Sequence, residues 1–328
     1  MKKIGIKGTG SVVPERVIPN SYFEKILDTS NEWIVARTGI QTRRMIQPGQ
    51  GLSDLATRAS ENALEMAGIS PEKLDMIIVG TCSADMLTPS CACIIQHRLR
   101  ARKAVAFDIN AACPGFIYGL SVAQKFMQDG SCHHALVVGG EIVSNRIDYQ
   151  DRATCVLFGD GAGAVVLGHS SRNGDGEILN VDIQSDGDLW KLIHLPGGGS
   201  RFPPSQKMLD EGLHYLKMQG NEVFKYAVRT MVEAAHSAMK SEGITSEEID
   251  WFIPHQANIR IMDTVAERLG IPKEKVIITV HKYGNTSAAS IPTALDEGVR
   301  GGKIQHGDLV LTTSFGAGLT WGAALFRY

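Results

Sequence analysis

The segment Ala67-Gly68-Ile69-Ser70-Pro71-Glu72-Lys73-Leu74-Asp75-Met76-Ile77-Ile78 returns without a gap as Glu242-Gly243-Ile244-Thr245-Ser246-Glu247-Glu248-Ile249-Asp250-Trp251-Phe252-Ile253, an offset of 175 residues (Asp75 against Asp250). Each copy leaves a helix at a glycine, crosses a polar turn and enters an apolar strand. Phe158-Gly159-Asp160-Gly161, before the last strand of the first half, is echoed by Phe315-Gly316-Ala317-Gly318 before the last strand of the chain. The helical stretch from Cys113 to Gly130 fits that from Asn285 to Gly302, an offset of 172 (Cys113 against Asn285). Two similar halves of βαβ-type units predict an α/β chain, with two sheets packed about a pseudo-twofold and buried helices between them. On that symmetry Cys113 and Asn285 occupy equivalent helix starts and should face each other near the axis.

Working outward, Met76 to Gly80 and Ala135 to Gly139 read as buried parallel strands. Ile4 and Ile6 alternate into Gly8-Thr9-Gly10, a short strand ending in a turn, and Ser53 caps a helix that closes at Gly68. A long amphipathic helix is predicted from about Asn221 to Lys240. His169 to Glu177 is the most linker-like stretch and lies near mid-chain, and residues 195–205 read as a surface loop. The glycines of Phe158–Gly163 resemble a phosphate loop, but a strand follows them and not a helix. Close backbone approach is the better use for them.

Composition narrows the function. The 328 residues are 43% hydrophobic with a formal charge of −2 and no basic block, which argues against nucleic acid as the main partner. No stretch approaches ~18 uninterrupted apolar residues, and the first ten do not form a signal peptide. Six unevenly spaced cysteines make no disulfide framework, so a reducing cytoplasm is expected. Cys82, Cys91, Cys93 and His97 match no common metal-ligand spacing.

Three side chains remain at strand or helix ends. Cys113 follows an apolar strand (Ala104 to Phe107) and opens a helix whose first turn holds Pro114. The positive end of the helix dipole there is expected to favour the nucleophilic thiolate. His255 follows a strand that stops at Pro254, and Asn285 precedes Thr286 and Ser287. Taken singly, these are a packed thiol, a core histidine and a helix cap. Together they form either a hydrolase triad, with Asn orienting His, or a condensing site in which His and Asn both donate to a thioester carbonyl.

The chain resembles the beta-ketoacyl-acyl-carrier-protein synthase III family over essentially its whole length. The resemblance rests on Asp28–Ile34, Arg37–Ile40, Ala111-Ala112-Cys113, Phe158–Gly163, Gly220–Lys225, Pro254–Asn258, Gly284–Ser290 and Phe315–Gly318. It implies the thiolase-like fold, with mixed five-stranded sheets sandwiching buried helices in αβαβα layers. One half (residues 1–170) would carry the nucleophilic Cys and the other (residues 178–328) the His and Asn. It also implies a homodimer, a cytoplasmic acyltransferase that initiates type II fatty-acid synthesis, and no cofactor, acyl-CoA and malonyl-acyl-carrier protein (malonyl-ACP) being substrates.

By the same resemblance, Cys113 takes the acyl group from acyl-CoA, and His255 and Asn285 hold the malonyl thioester oxygen during decarboxylation. The backbone N–H groups of Cys113 and Ala317 form a second oxyanion hole, and Phe315 lies beside the sulfur. Pro114 replaces a small residue whose N–H is not used. Trp33 and Arg152 would flank the CoA adenine, Arg37 would lie near its phosphates, and Asn221 and Asn258 would touch the pantetheine arm. Lys225 and Arg260 would receive the acidic carrier protein. Thr88, with Leu87 beside it, stands where the family closes the partner's acyl pocket, and its small size leaves room for chains longer than acetyl. Two other functions compete: a condensing enzyme or acyltransferase of secondary metabolism, and a Cys/His/Asn thioester hydrolase.

Overall fold

The structure is a computed structural model, and it describes residues 2–170 and 176–328. Residues 171–175 of the expected linker lie outside the described residues. The elements used below are, in chain order, β1 (Ile4–Val12), α1 (Asn31–Thr38), α2 (Leu52–Ala67), β2 (Met76–Gly80), α3 (Cys91–Leu99), β3 (Val105–Ile109), α4 (Gly115–Gln128), β4 (His134–Glu141) and β5 (Gly161–His169). They continue as β6 (Glu177–Ser185), α5 (Gly220–Ser241), β7 (Trp251–Pro254), α6 (Ile259–Leu269), α7 (Val280–Tyr283), α8 (Ser290–Arg300), β8 (Leu309–Gly316) and β9 (Thr320–Arg327).

The first sheet runs β1-β5-β4-β2-β3, with β3, β2 and β4 parallel and β5 antiparallel to both β4 and β1. The second runs β6-β9-β8-β7 with the same pattern of directions. Both sheets bury both faces, because alternate residues of each strand feed different cores. Met76 and Ile78 meet α4 and α8 in a central core that also takes Val310, Ala324 and Phe326 from the second sheet. Ile77 and Val79 face α2 and α3 on one outside, and Leu309, Leu311 and Leu325 face α5 and α6 on the other. The result is an αβαβα sandwich with α4 and α8 as its middle layer.

Four details differ from the sequence reading. Where a fifth strand of the second sheet was expected, Val276 makes one parallel bridge to Phe252, and the Ile277 N–H donates to the Phe252 carbonyl (2.9 Å). The turn at Lys273–Lys275 and the start of α7 at Val280 leave too short a run for a ladder. β1 does not turn at Gly8-Thr9-Gly10 but continues to Val12. A Cβ on Gly8 or Gly10 would lie 2.4 or 2.3 Å from the carbonyl oxygens of Ala63 and Ala59, so these glycines let α2 sit directly on the strand. Gly51 caps α2 instead of Ser53, whose hydroxyl donates to Asp85. Finally, α4 and α8 end at the expected offset of 172 (Gln128 against Arg300) but begin at 175 (Gly115 against Ser290). Cys113 therefore precedes its helix by two residues and Asn285 by five, so their helix starts are not equivalent.

Among the described residues no helix is long and apolar enough to cross a membrane, and no His/Cys/Asp/Glu group could hold a metal ion.

Candidate active site

Cys113, His255 and Asn285 line one cavity of about 1400 Å³ together with Phe315 and Ala317. Local backbone geometry presents the sulfur. Ala112 has a left-handed φ of 49°, uncommon for a residue with a Cβ, and Pro114 caps α4. Gly316 at the end of β8 leaves no gap: a Cβ there would lie 2.7 Å from Pro114 Cδ and 2.8 Å from Cys113 N. Glycine is required for that close approach.

The thiol is not primed as the helix-start argument expects. Desolvation in the pocket pushes it up to about 12. The Ser287 hydroxyl, donating to Sγ at 3.4 Å, and the backbone N–H of Cys113 pull the other way, and the Glu141 charge adds to the rise. α4 starts at Gly115 with Pro114 as its N-cap, so the sulfur lies ahead of the first turn, where the dipole acts less strongly than on a residue within it.

His255 is 3% exposed, and burial holds its imidazole down to about 4, so it is neutral at physiological pH. Its Nδ1 lies 2.7 Å from Ser290 Oγ. Asn285 is clamped between neighbours. Its N–H donates to the Leu157 carbonyl (2.8 Å), and its carbonyl accepts from Gly159 N–H (3.0 Å). The Asn285 side-chain oxygen accepts from Ser287 N–H (2.9 Å), which leaves the amide N–H₂ as the free end. Glycines at 159 and 284 permit this approach of the two loops, since a Cβ at Gly159 would lie 2.2 Å from the Tyr283 carbonyl oxygen.

Gln256 joins the histidine loop to the segment leading to Asn285. Its Nε2 donates to the carbonyls of Pro254 (2.7 Å) and Ile277 (3.1 Å), and its Oε1 accepts from Thr279 N–H (2.7 Å) and Val280 N–H (3.2 Å). Sequence reasoning singled out none of Gln256, Ser287, Ser290 or Glu141. The first three were visible inside the quoted motifs but read only as flanking or capping residues. Glu141, buried at the end of β4 and pushed up to about 7 by burial, gave no signal.

Residues 107–187 match the family model for 3-oxoacyl-[acyl-carrier-protein (ACP)] synthase III, and residues 239–328 match the model for its C-terminal part. A beta-ketoacyl-[acyl-carrier-protein] synthase III from Caldanaerobacter subterraneus subsp. tengcongensis is 50% identical over 324 residues, 99% of this chain and 97% of the relative. The chain belongs to the beta-ketoacyl-ACP synthase III family. Among solved structures, the 3-oxoacyl-[acyl-carrier-protein] synthase III from Aquifex aeolicus VF5 superposes with a TM-score of 0.92 at 46% identity, covering 99% of this chain and 100% of that one. The priming beta-ketosynthase from the R1128 polyketide biosynthetic pathway gives 0.91 at 36%, covering 99% and 96%. The thiolase-type architecture of the synthase III family is thus the architecture of this chain.

The remaining residues that the synthase III resemblance pointed to divide clearly. Trp33, Arg37, Arg152, Asn221, Asn258, Lys225, Arg260 and Leu87 all line the same cavity, and Thr88 does not. Trp33 carries the guanidinium carbon of Arg152 at 4.7 Å and that of Arg37 at 5.0 Å from its ring centroid. Arg152 also donates to the Asp28 carbonyl (2.6 Å). The side-chain oxygen of Asn258 caps α6 by accepting from Arg260 N–H (2.9 Å). Lys225 pairs with Glu222 at 2.8 Å, and Arg260 lies over Phe224 at 5.9 Å.

Proposed function

We propose that this protein is a beta-ketoacyl-ACP synthase III that condenses an acyl-CoA starter with malonyl-ACP to give 3-oxoacyl-ACP, CoA and CO₂. The observation that carries the proposal is the convergence of Cys113, His255 and Asn285 on one cavity, with the Asn285 amide oxygen already occupied and its N–H₂ free. That arrangement offers two neutral donors to a single oxygen, which suits an enolate better than a hydrolase triad in which Asn orients His.

In the first step the Cys113 sulfur bonds to the acyl carbon, the carbon–sulfur bond to CoA breaks, and the thiol proton ends on the departing CoA sulfur. Cys113 and Ala317 N–H groups receive the tetrahedral oxyanion. Malonyl-ACP then binds, and its carboxylate leaves as CO₂. The electron pair is held as an enolate whose oxygen accepts from His255 and Asn285. The enolate carbon attacks the acyl-Cys113 carbonyl, the carbon–sulfur bond to Cys113 breaks, and the expelled thiolate takes up a proton from solvent to restore the thiol. Phe315 keeps water from the carboxylate. No cofactor enters the scheme.

Trp33 and Arg152 would grip adenine once Arg152 opens from the ring, with Arg37 at the CoA phosphates and Asn221 and Asn258 along the arm. Lys225 and Arg260, which line the same cavity, would receive the carrier protein. A homodimer suits the exposed edge strand β3, where Val105 is 60% exposed, and the projecting Leu87, 92% exposed. Thr88 would then reach the partner's acyl pocket and admit starters longer than acetyl. The duplicated halves are residues 1–170 and 178–328, and the expected location is the cytoplasm. The similarity to a polyketide priming synthase leaves the same chemistry with a secondary-metabolic acceptor as a second reading.

The test supplies the purified protein with acetyl-CoA or octanoyl-CoA and malonyl-ACP, and follows 3-oxoacyl-ACP by mass spectrometry. Product with either starter supports the synthase. Acyl-CoA hydrolysis without a carbon–carbon product refutes it, and a strong preference for acetyl-CoA over octanoyl-CoA refutes the role given to Thr88.

A further inference from the structure

Ser290, the first residue of α8, is 2% exposed and sits against the equally buried His255. Its Oγ has two partners in the structure: His255 Nδ1 at 2.7 Å and the Gln256 backbone N–H at 3.3 Å. The backbone N–H can only donate, so it takes one of the oxygen's lone pairs. Among the described residues the only partner that can accept the hydroxyl hydrogen is Nδ1, and only when Nδ1 carries no proton. The opposite tautomer would aim N–H at Oγ and leave a buried hydroxyl hydrogen unbonded. At the usual cost of a buried unmade hydrogen bond that is roughly a 10- to 100-fold disfavour.

We infer that Ser290 donates to His255 Nδ1 and so holds the ring as the Nε2–H tautomer, which makes Ser290 a positioning residue for the decarboxylation step. The inference rests on the reading of His255 as a donor to the malonyl thioester oxygen. With Nδ1 turned to Ser290, Nε2 is the ring nitrogen left for the cavity that His255 lines. A proton fixed on Nε2 makes it a standing donor for the enolate. It also removes the lone pair that would be needed to take the Cys113 thiol proton, so acylation and decarboxylation should respond differently to the loss of Ser290.

The experiment uses the full-length protein labelled with ¹⁵N-histidine. Ring-nitrogen NMR, with the His255 signals assigned by their loss in His255→Ala, should show Nε2 protonated and Nδ1 bare, and Ser290→Ala should shift the ring toward Nδ1–H. In the same variant, malonyl-thioester decarboxylation should fall roughly 10- to 100-fold, while acylation by acetyl-CoA changes by less than about 3-fold. Ser290→Thr, which keeps the hydroxyl, should restore most of the decarboxylation. An Nδ1–H ring in the wild type, or a Ser290→Ala protein that decarboxylates at the wild-type rate, overturns the inference. Should Ser290→Ala fail to fold, the wild-type spectrum still decides the tautomer. A wild-type protein that never decarboxylates malonyl thioesters overturns the functional reading and the role of Ser290 with it, but not the tautomer, which the spectrum settles separately.

Discussion

Replacing Gln256 by methionine keeps the volume of a 1%-exposed side chain and removes all of its hydrogen bonds. The losses can be traced one by one. Oε1 caps the start of α7 by accepting from Thr279 and Val280 N–H, and a lost cap costs about 1 kcal/mol. Nε2 serves the Pro254 and Ile277 carbonyls, and each buried carbonyl stripped of its donor costs about 1 kcal/mol or more. The sum is about 2–4 kcal/mol, read as a lowered denaturant midpoint with an unchanged slope. The same bonds tie the His255 loop to the segment that ends at Asn285. Malonyl-thioester decarboxylation should therefore fall further than acylation of Cys113, measured by stopped decarboxylation and intact-protein mass in parallel. A Gln256→Met protein within about 0.5 kcal/mol of wild type, with both steps unchanged, would refute the reasoning.

Gly316→Ala places a methyl 2.7 Å from Pro114 Cδ and 3.1 Å from Cys113 Cβ, so Cys113 itself must move. Acylation should drop by about 100-fold with a stability loss of about 1–3 kcal/mol, measured by burst mass spectrometry and denaturation. Glu141, pushed up to about 7 from 4.5, gives stability that is full below pH 4.5 and lost as pH rises through 7, because the unfolded carboxyl ionises first. His255, held down to about 4 from 6.5, gives stability that is full above pH 6.5 and lost as pH falls toward 4. The stability of Glu141→Gln relative to wild type should therefore rise by about 3 kcal/mol from pH 4.5 to pH 7.5, and a pH-independent difference would contradict the assignment.

The 175-residue repeat was legible because it is ungapped where the fold is most regular. β4 and β8 also align at 175 (His134 against Leu309, Glu141 against Gly316), and they hold the same place in the two sheets. Failures came where backbone contact competes with local pattern. Gly8 and Gly10 look like a turn until α2 is placed on them, and no local signal in the sequence reports that approach. The second sheet lost its fifth strand because the run between the Lys273–Lys275 turn and α7 is too short, a matter of length and not of propensity. At the site, the three polar residues were legible from their places at element ends. The ionisation of Cys113 was not, since the dipole is a local property and desolvation depends on the residues that the fold packs around the sulfur. Ser290 was hidden for the same reason: it lies 35 residues from His255 and meets it only in the folded chain.

In the proposed reaction Cys113 carries the acyl group between CoA and the malonyl-derived carbanion. Single-turnover mass spectrometry of the intact protein tests it most directly, first with an acyl-CoA alone and then with malonyl-ACP added. The expected result is an acyl mass on the Cys113 peptide that persists in buffer and disappears as 3-oxoacyl-ACP forms. Acylation that decays in water alone, or no acyl mass on Cys113 with either acetyl-CoA or octanoyl-CoA, would contradict it.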